Sequence, residues 1–450
     1  MYYLSPARGK ALALTLVSYI FYGWWNPWFV FLMLGSTAVD YYCGKLITAD
    51  SATARQRKTG VITSVITNLS VLAFFKYAAF FASNLEAVGI GIEMPEFLYR
   101  VVLPVGISFY TFQSMSYSID LYRGHARPAR NFVDFACYVA MFPQLVAGPI
   151  VRYGSVADQL VSRRHTVEGF VAGFTRFNYG FAKKILIANN VGTIADACFS
   201  AGTSSLSPGM AWLGVLAYAF QIYFDFSAYS DMAIGLGRMF GFQFPENFNS
   251  PYRSKSITEF WRRWHISLSS FLRDYLYIPL GGNRIGVGRT YINLFLVMLI
   301  GGLWHGAQWT FVIWGIIHGI MLTAERLAGE KLWLHKIPSR VRMILTFLIL
   351  LITWVFFRAD NLSIAMNYLS AMFFLCETGA SAKLLQASVI DFYSVIALVV
   401  AAAVTWLLPR TADLLEKVTL LKCIIGLVLL LVAVRQMFYQ GFNPFLYFQF

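Results

Sequence analysis

Long apolar runs recur along the whole of this chain and constrain it more than any other feature. A membrane span needs roughly 20 predominantly apolar residues. Stretches that meet or approach that length fall at 11–34, 61–83, 97–119, 131–150, 170–199, 211–236, 290–305, 307–324, 343–357, 389–408 and 421–438, about eleven in all. A water-soluble globule is excluded, because 58% of the 450 residues are apolar and only 13% are charged. Disorder is excluded by the same hydrophobicity. The expectation is an all-α polytopic membrane protein, read as a single integral membrane domain over 1–450, without internal repeats, low-complexity tracts or soluble linkers.

Several runs are interrupted. The first is broken at Trp24-Trp25-Asn26-Pro27, and Phe142–Pro149 carries Pro143, Gly148 and Pro149. Broken backbone is tolerated at membrane depth only where protein or a wet cavity satisfies it, so a re-entrant piece is expected around 142–149. Loop charge orients the chain. Residues 45–58 carry Lys45, Arg55, Arg57 and Lys58 and read as cytoplasmic, whereas 84–96 carries Glu86, Glu93 and Glu96 and reads as external. The formal charge of +14 is therefore assigned to cytoplasmic loops rather than to nucleic acid. The cysteines at 43, 137, 198, 376 and 423 have no metal-type spacing and read as buried free thiols. The run after Arg8 and Lys10 lacks a small-residue cleavage site and reads as a membrane helix, not a removed leader.

Residues 256–275 read as one amphipathic helix. Ser256 and Glu259 have capping-box spacing. Ile257, Phe260, Trp261, Trp264, Leu268, Phe271, Leu272 and Tyr275 fall in one stripe of about 120°. Arg262, Arg263 and Arg273 lie opposite, and His265 falls at the stripe's edge. Such a helix lies in the membrane interface, its arginines toward headgroups or cytosol. A second histidine, His305, sits in Leu299–Ala307 between long apolar runs. An ionisable side chain at that depth is a functional-site hypothesis, and an imidazole suits general base catalysis. Gly301, Gly302 and Gly306 leave space for close helix approach or for a ligand. His318, thirteen residues on, is expected to face elsewhere in a structural role. In 218–232, Tyr218, Gln221, Asp225 and Tyr229 share a helical face. Asp225, flanked by aromatics, is expected to be paired or to face a wet cavity, either orienting an imidazole or joining a helix–helix hydrogen-bond network, and Asp231 is expected near the interface. No nucleophile elbow, P-loop or HExxH motif is present.

The segments Asn247–Tyr252, FWRRWHISLSSFLRDYLYIPLGGNR (260–284) and GGLWHGAQWTFVIWGIIHG (301–319) resemble the membrane-bound O-acyltransferase family. The likeness is closest to its bacterial alginate O-acetylation branch. Residues 103–124, 143–153 and 221–242 and the terminal NPFLYFQF extend the resemblance over nearly the whole chain. The resemblance implies a ring of tilted helices around a tunnel, with the donor entering from the cytoplasm and the acceptor from the other side. It places the family's near-invariant histidine at His305, beside Trp304 and Gly306, and the second family histidine at His265. Asp225, Gln221, Trp304 and Arg262 follow as supporting residues, and Arg263 and Arg273 as a surface for an anionic donor or acidic carrier. No metal or tightly bound cofactor is implied; acetyl-CoA or an acyl carrier would be a substrate. The implied setting is the bacterial inner membrane, with a periplasmic SGNH-type acetyltransferase and polysaccharide synthesis machinery as partners. Members of this branch usually carry a further hydrophobic helix before the segment matching Tyr2–Pro6. This chain's start is therefore expected to be shortened, or its true start to lie upstream. The open alternatives are a D-alanyl, longer-chain or peptidoglycan-directed acyltransferase, a transporter, and a scaffold for polysaccharide export.

Overall fold

The computed structural model describes residues 2–89, 95, 98, 101–329, 336–375, 379 and 381–440. Among these, the regular structure is helical throughout. The first half contains α1 (Lys10–Trp25), α2 (Trp28–Thr48), α3 (Ala54–Ala87), α4 (Ile107–Tyr122), α5 (Phe132–Ala140), α6 (Phe142–Leu145), α7 (Tyr153–Val161), α8 (Val167–Ala182), α9 (Asn189–Ser200) and α10 (Pro208–Met239). The second contains α11 (Ile257–Arg263), α12 (Ile266–Leu272), α13 (Val287–His305), α14 (Trp309–Ala328), α15 (Ser339–Arg358), α16 (Leu362–Met372), α17 (Ser381–Val389), α18 (Phe392–Trp406), α19 (Thr411–Leu414) and α20 (Leu420–Tyr439). The terminal NPFLYFQF and Cys376 lie outside the described residues; Cys43, Cys137, Cys198 and Cys423 are free thiols.

The chain is an all-helical membrane protein. Five helices, α3, α13, α14, α15 and α20, are long and apolar enough to cross a bilayer. The pair α17–α18, bent by 67°, makes a sixth if counted as one span. The sequence suggested about eleven. The difference has local causes. Asn26-Pro27 ends α1 after 16 residues, Met141 separates the 9-residue α5 from α6, and a π-helical turn at Lys183–Ala188 divides α8 from α9. Only 11% of the apolar window of α20 is buried, so most of that helix offers hydrocarbon a surface rather than a core.

By packing, the chain forms two compact units, one of residues 1–174 with 233–245, the other of 175–232 with 246–450. In the first, α1 to α5 pack together. Their interior is polar at one place. Buried Asp40 accepts from Ser64 Oγ at 2.5 Å and from Asn68 Nδ2 at 2.9 Å. The interrupted segment 142–149 forms the short α6 and a turn, buried apart from half-buried Phe142.

In the second unit, α13 and α14 make a tight hairpin. A side chain at Gly302 would press on the Phe311 carbonyl, and one at Gly315 would meet the Met298 carbonyl oxygen at 2.6 Å. Gly306 lies against the Phe311 ring. Gly302 and Gly306 thus serve helix approach, which resolves one of the two readings of the glycines around His305. Trp314, Trp354, Phe260 and Trp264 form an aromatic core beneath the hairpin, with ring centroids 5.2–6.4 Å apart along the chain of contacts. Gly315→Leu is expected to lower hairpin stability by about 1–3 kcal/mol through overpacking, read as a fall in Tm of the detergent-solubilised protein; an unchanged Tm would contradict this packing.

Candidate active site

The amphipathic pattern at 256–275 does not produce one helix. α11 ends at Arg263, α12 begins at Ile266, and a π-helical turn follows at Arg273–Tyr277. Between them, His265 takes left-handed backbone angles, φ 43° and ψ 56°. That conformation costs a non-glycine residue about 1–2 kcal/mol, so something outside the segment must hold it. The clasp is Asn247–Asn249. Ile266 N donates to the Asn247 carbonyl at 2.9 Å, and Asn249 N donates to the Arg263 carbonyl at 2.9 Å. His265, which the pattern puts at the edge of the apolar stripe, is completely buried. Periodicity alone does not register a break that backbone bonds to a remote loop impose.

The start of α11 also departs from expectation. Ser256 Oγ accepts from Glu259 N at 3.0 Å, the first half of a capping box. The Glu259 carboxylate, however, accepts from Lys255 N, and Glu325 of α14 receives Ile257 N, Thr258 N and Thr258 Oγ1 at 2.6–2.8 Å. A glutamate from the hairpin thereby caps the helix that precedes His265.

His305 is the last residue of α13 and is 6% exposed. Its ring lies 5.0 Å from Trp304, 5.4 Å from Trp314 and 5.1 Å from Phe357, in edge contacts with all three. The Trp304 ring also lies 6.0 Å from His265. One buried indole therefore touches both histidines. On its other side His265 meets Phe226 at 4.6 Å, and its Nδ1 lies 3.1 Å from Asn247 Oδ1. Burial pushes the His265 imidazole down to about 3, so the ring is neutral at ordinary pH.

His318 does not point away from this cluster. The expected rotation assumed one continuous helix, whereas the chain breaks at Gly306–Gln308 and returns antiparallel. His318 packs on Trp314 at 4.8 Å and accepts a hydrogen bond from Trp261 Nε1 at 3.2 Å. That contact is the cross-helix role expected of it.

The polar face of α10 is paired with cations. Asp225 bonds Lys184 at 2.5 Å, and the two side chains are 3% and 13% exposed. Gln221 is buried, its amide pressed into the space left by Gly192, and Tyr218 lies near Arg358. Asp231 is buried, held by Arg176 at 2.8 Å and Lys183 at 2.5 Å; Arg176 also binds Glu246 at 2.6 Å. Sequence reasoning passed over Arg176, Lys183 and Lys184, although three cations inside an apolar run are a signal in themselves. It also passed over Asn247, which appeared only within a family motif.

The arginines divide. Arg263 is taken up by Glu259 and Arg273 by Asp274, at 2.6 and 2.7 Å. Exposed Arg262 instead lines a polar cavity of about 1030 Å³ together with Lys255, Arg326, Arg342, Glu259 and Glu325.

Two buried histidines thus meet one tryptophan within a bundle of largely apolar helices. The chain belongs to the membrane-bound O-acyltransferase family, which it matches over residues 13–365. It is an O-acyltransferase. It is 50% identical to the probable alginate O-acetylase of Pseudomonas aeruginosa over 83% of this chain and 71% of that one. Identity to the probable alginate O-acetylase of Azotobacter vinelandii is also 50%, over 83% and 74%. The peptidoglycan O-acetyltransferase of Helicobacter pylori is 39% identical, over 82% and 76%.

Removing Lys184 takes away the cation that the buried Asp225 carboxylate pairs with. Lys184→Met is expected to cost about 3–5 kcal/mol, and adding Asp225→Asn to recover most of it. Thermal unfolding of wild type, Lys184→Met and the double variant checks this; equal losses in the single and double variants would show that the pair is not coupled.

Proposed function

We propose that the chain moves an acyl group, acetyl in this reading, from a cytoplasmic donor across the inner membrane for O-acetylation of an exopolysaccharide such as alginate. The observation that carries the reading is the contact of both His305 and His265 with one buried Trp304, in a chain 50% identical to probable alginate O-acetylases. Identity to the peptidoglycan enzyme is lower, at 39%, which ranks that acceptor second.

In this mechanism His305 acts on the acceptor. Its imidazole takes the proton from a hydroxyl as the oxygen attacks the carbonyl of a thioester donor. The carbon–sulfur bond breaks, and the departing thiolate receives a proton. A relay in which the imidazole briefly carries the acyl group uses the same placement. The aromatic walls exclude water, which protects the thioester from hydrolysis and strengthens any hydrogen bond made inside. His265 supports the site through its own contact with Trp304. The donor, acetyl-CoA or an acyl carrier, is a substrate. Its anionic part would meet the Arg262 cavity; Arg263 and Arg273, already neutralised by carboxylates, are lesser contributors. A periplasmic SGNH-type acetyltransferase and the polymer synthesis machinery complete the path in this reading.

The test is ester-linked acetate on the exopolysaccharide of a deletion strain carrying wild type or His305→Gln at matched membrane levels. Wild type is expected to restore acetate and His305→Gln to lower it at least about 100-fold. Equal acetate in both would overturn the role of His305. Acetate appearing on peptidoglycan alone would transfer the reading to that acceptor.

A further inference from the structure

The clasp at the helix break carries a chemical consequence for His265. Asn247 is 1% exposed, and one terminal atom of its amide, Oδ1, lies 3.2 Å from Ser267 N. A backbone N–H only donates, so this atom must be the carbonyl oxygen and not the amide nitrogen. The opposite end agrees: Nδ2 donates to Ser230 Oγ at 3.2 Å. Ser267 Oγ donates to the same Oδ1 at 2.9 Å. A carbonyl oxygen in turn only accepts, so the His265 nitrogen 3.1 Å away must present a proton to it. That nitrogen is Nδ1. With the ring neutral, Nε2 is left as the basic nitrogen.

Resting on the acyl-transfer reading above, we propose that Asn247 is the positioning residue of the site: it fixes His265 as the Nδ1–H tautomer, with Ser267 and Ser230 fixing the amide itself. No charge beside the ring is required. A neutral amide sets the tautomer while leaving the imidazole uncharged, as a completely buried position favours. The same residue supplies the backbone carbonyl that receives Ile266 N, so ring orientation and the left-handed turn of His265 are set by one anchor. Errors of tautomer abolish histidine catalysis even where geometry survives.

The experiment uses the full chain in detergent micelles, labelled with ¹⁵N-histidine, with His265→Gln to assign the signal. Wild type is expected to show a protonated Nδ1 and an unprotonated Nε2. Asn247→Asp keeps an acceptor for all three donors and should keep that pattern. Asn247→Leu should lose it. In cells, Asn247→Leu should lower ester-linked acetate by about tenfold or more, whereas Asn247→Asp retains most of it. Should Asn247→Leu fail to insert, Ser230→Ala removes only the anchor of Nδ2 and is expected to loosen the tautomer preference with a several-fold loss. A wild-type ring protonated at Nε2, or a pattern unchanged in both Asn247→Leu and Ser230→Ala, overturns the proposal. The expected tautomers combined with wild-type acetate from His265→Gln would uphold the assignment of the ring and remove His265 from the acyl-transfer reading instead.

Discussion

A buried imidazole must replace its water with other polar partners, and in this chain that requirement organises the second unit. His265 has no exposure, stands in a strained backbone conformation and is gripped by Asn247 through both main chain and side chain. The break it creates turns α12 out of line with α11. Glu325 caps α11 from the hairpin, and the hairpin carries His305. Each element therefore limits where the next can lie, and Trp304 contacts both rings. A buried polar network of this kind stabilises only when its members are satisfied, which ties the geometry of the site to the integrity of the fold.

Much of this was legible in the sequence for simple physical reasons. Apolar runs mark helices that hydrocarbon must solvate, and a histidine among them is costly enough to stand out; His305 was identifiable on that ground. Ser256 and Glu259 marked the start of α11 correctly, because capping is local. The break at Trp264-His265 was not legible. The residues on both sides keep helical periodicity, and the interruption is enforced by hydrogen bonds from a loop about eighteen residues away in sequence. Likewise, the end of α13 at His305 reverses the chain and brings His318 back beside Trp314, which no helical wheel drawn through Gly306 could anticipate.

Charge was the other partial reading. Asp225 was recognised as an expensive residue needing a partner, and a triad with an imidazole was one possibility. Its ion pair is with Lys184, at the π-helical turn between α8 and α9. The neighbouring Lys183 and Arg176 neutralise Asp231 and Glu246. Buried ion pairs add little net stability but are destructive when half removed. Together with the Glu325 cap and the Asn247–Asn249 clasp, they fix which helices can pair inside a unit whose core is otherwise largely apolar.

The central claim is that His265, Trp304 and His305 act as one site rather than as two independent ones. The most direct measurement is a double-mutant cycle on acetyl transfer, comparing His265→Gln, His305→Gln and both together at matched membrane levels. Residues that act as a unit are grossly non-additive. The account predicts that the double variant is no slower than the slower single variant. Losses that multiply would contradict it and separate the two histidines into unrelated roles.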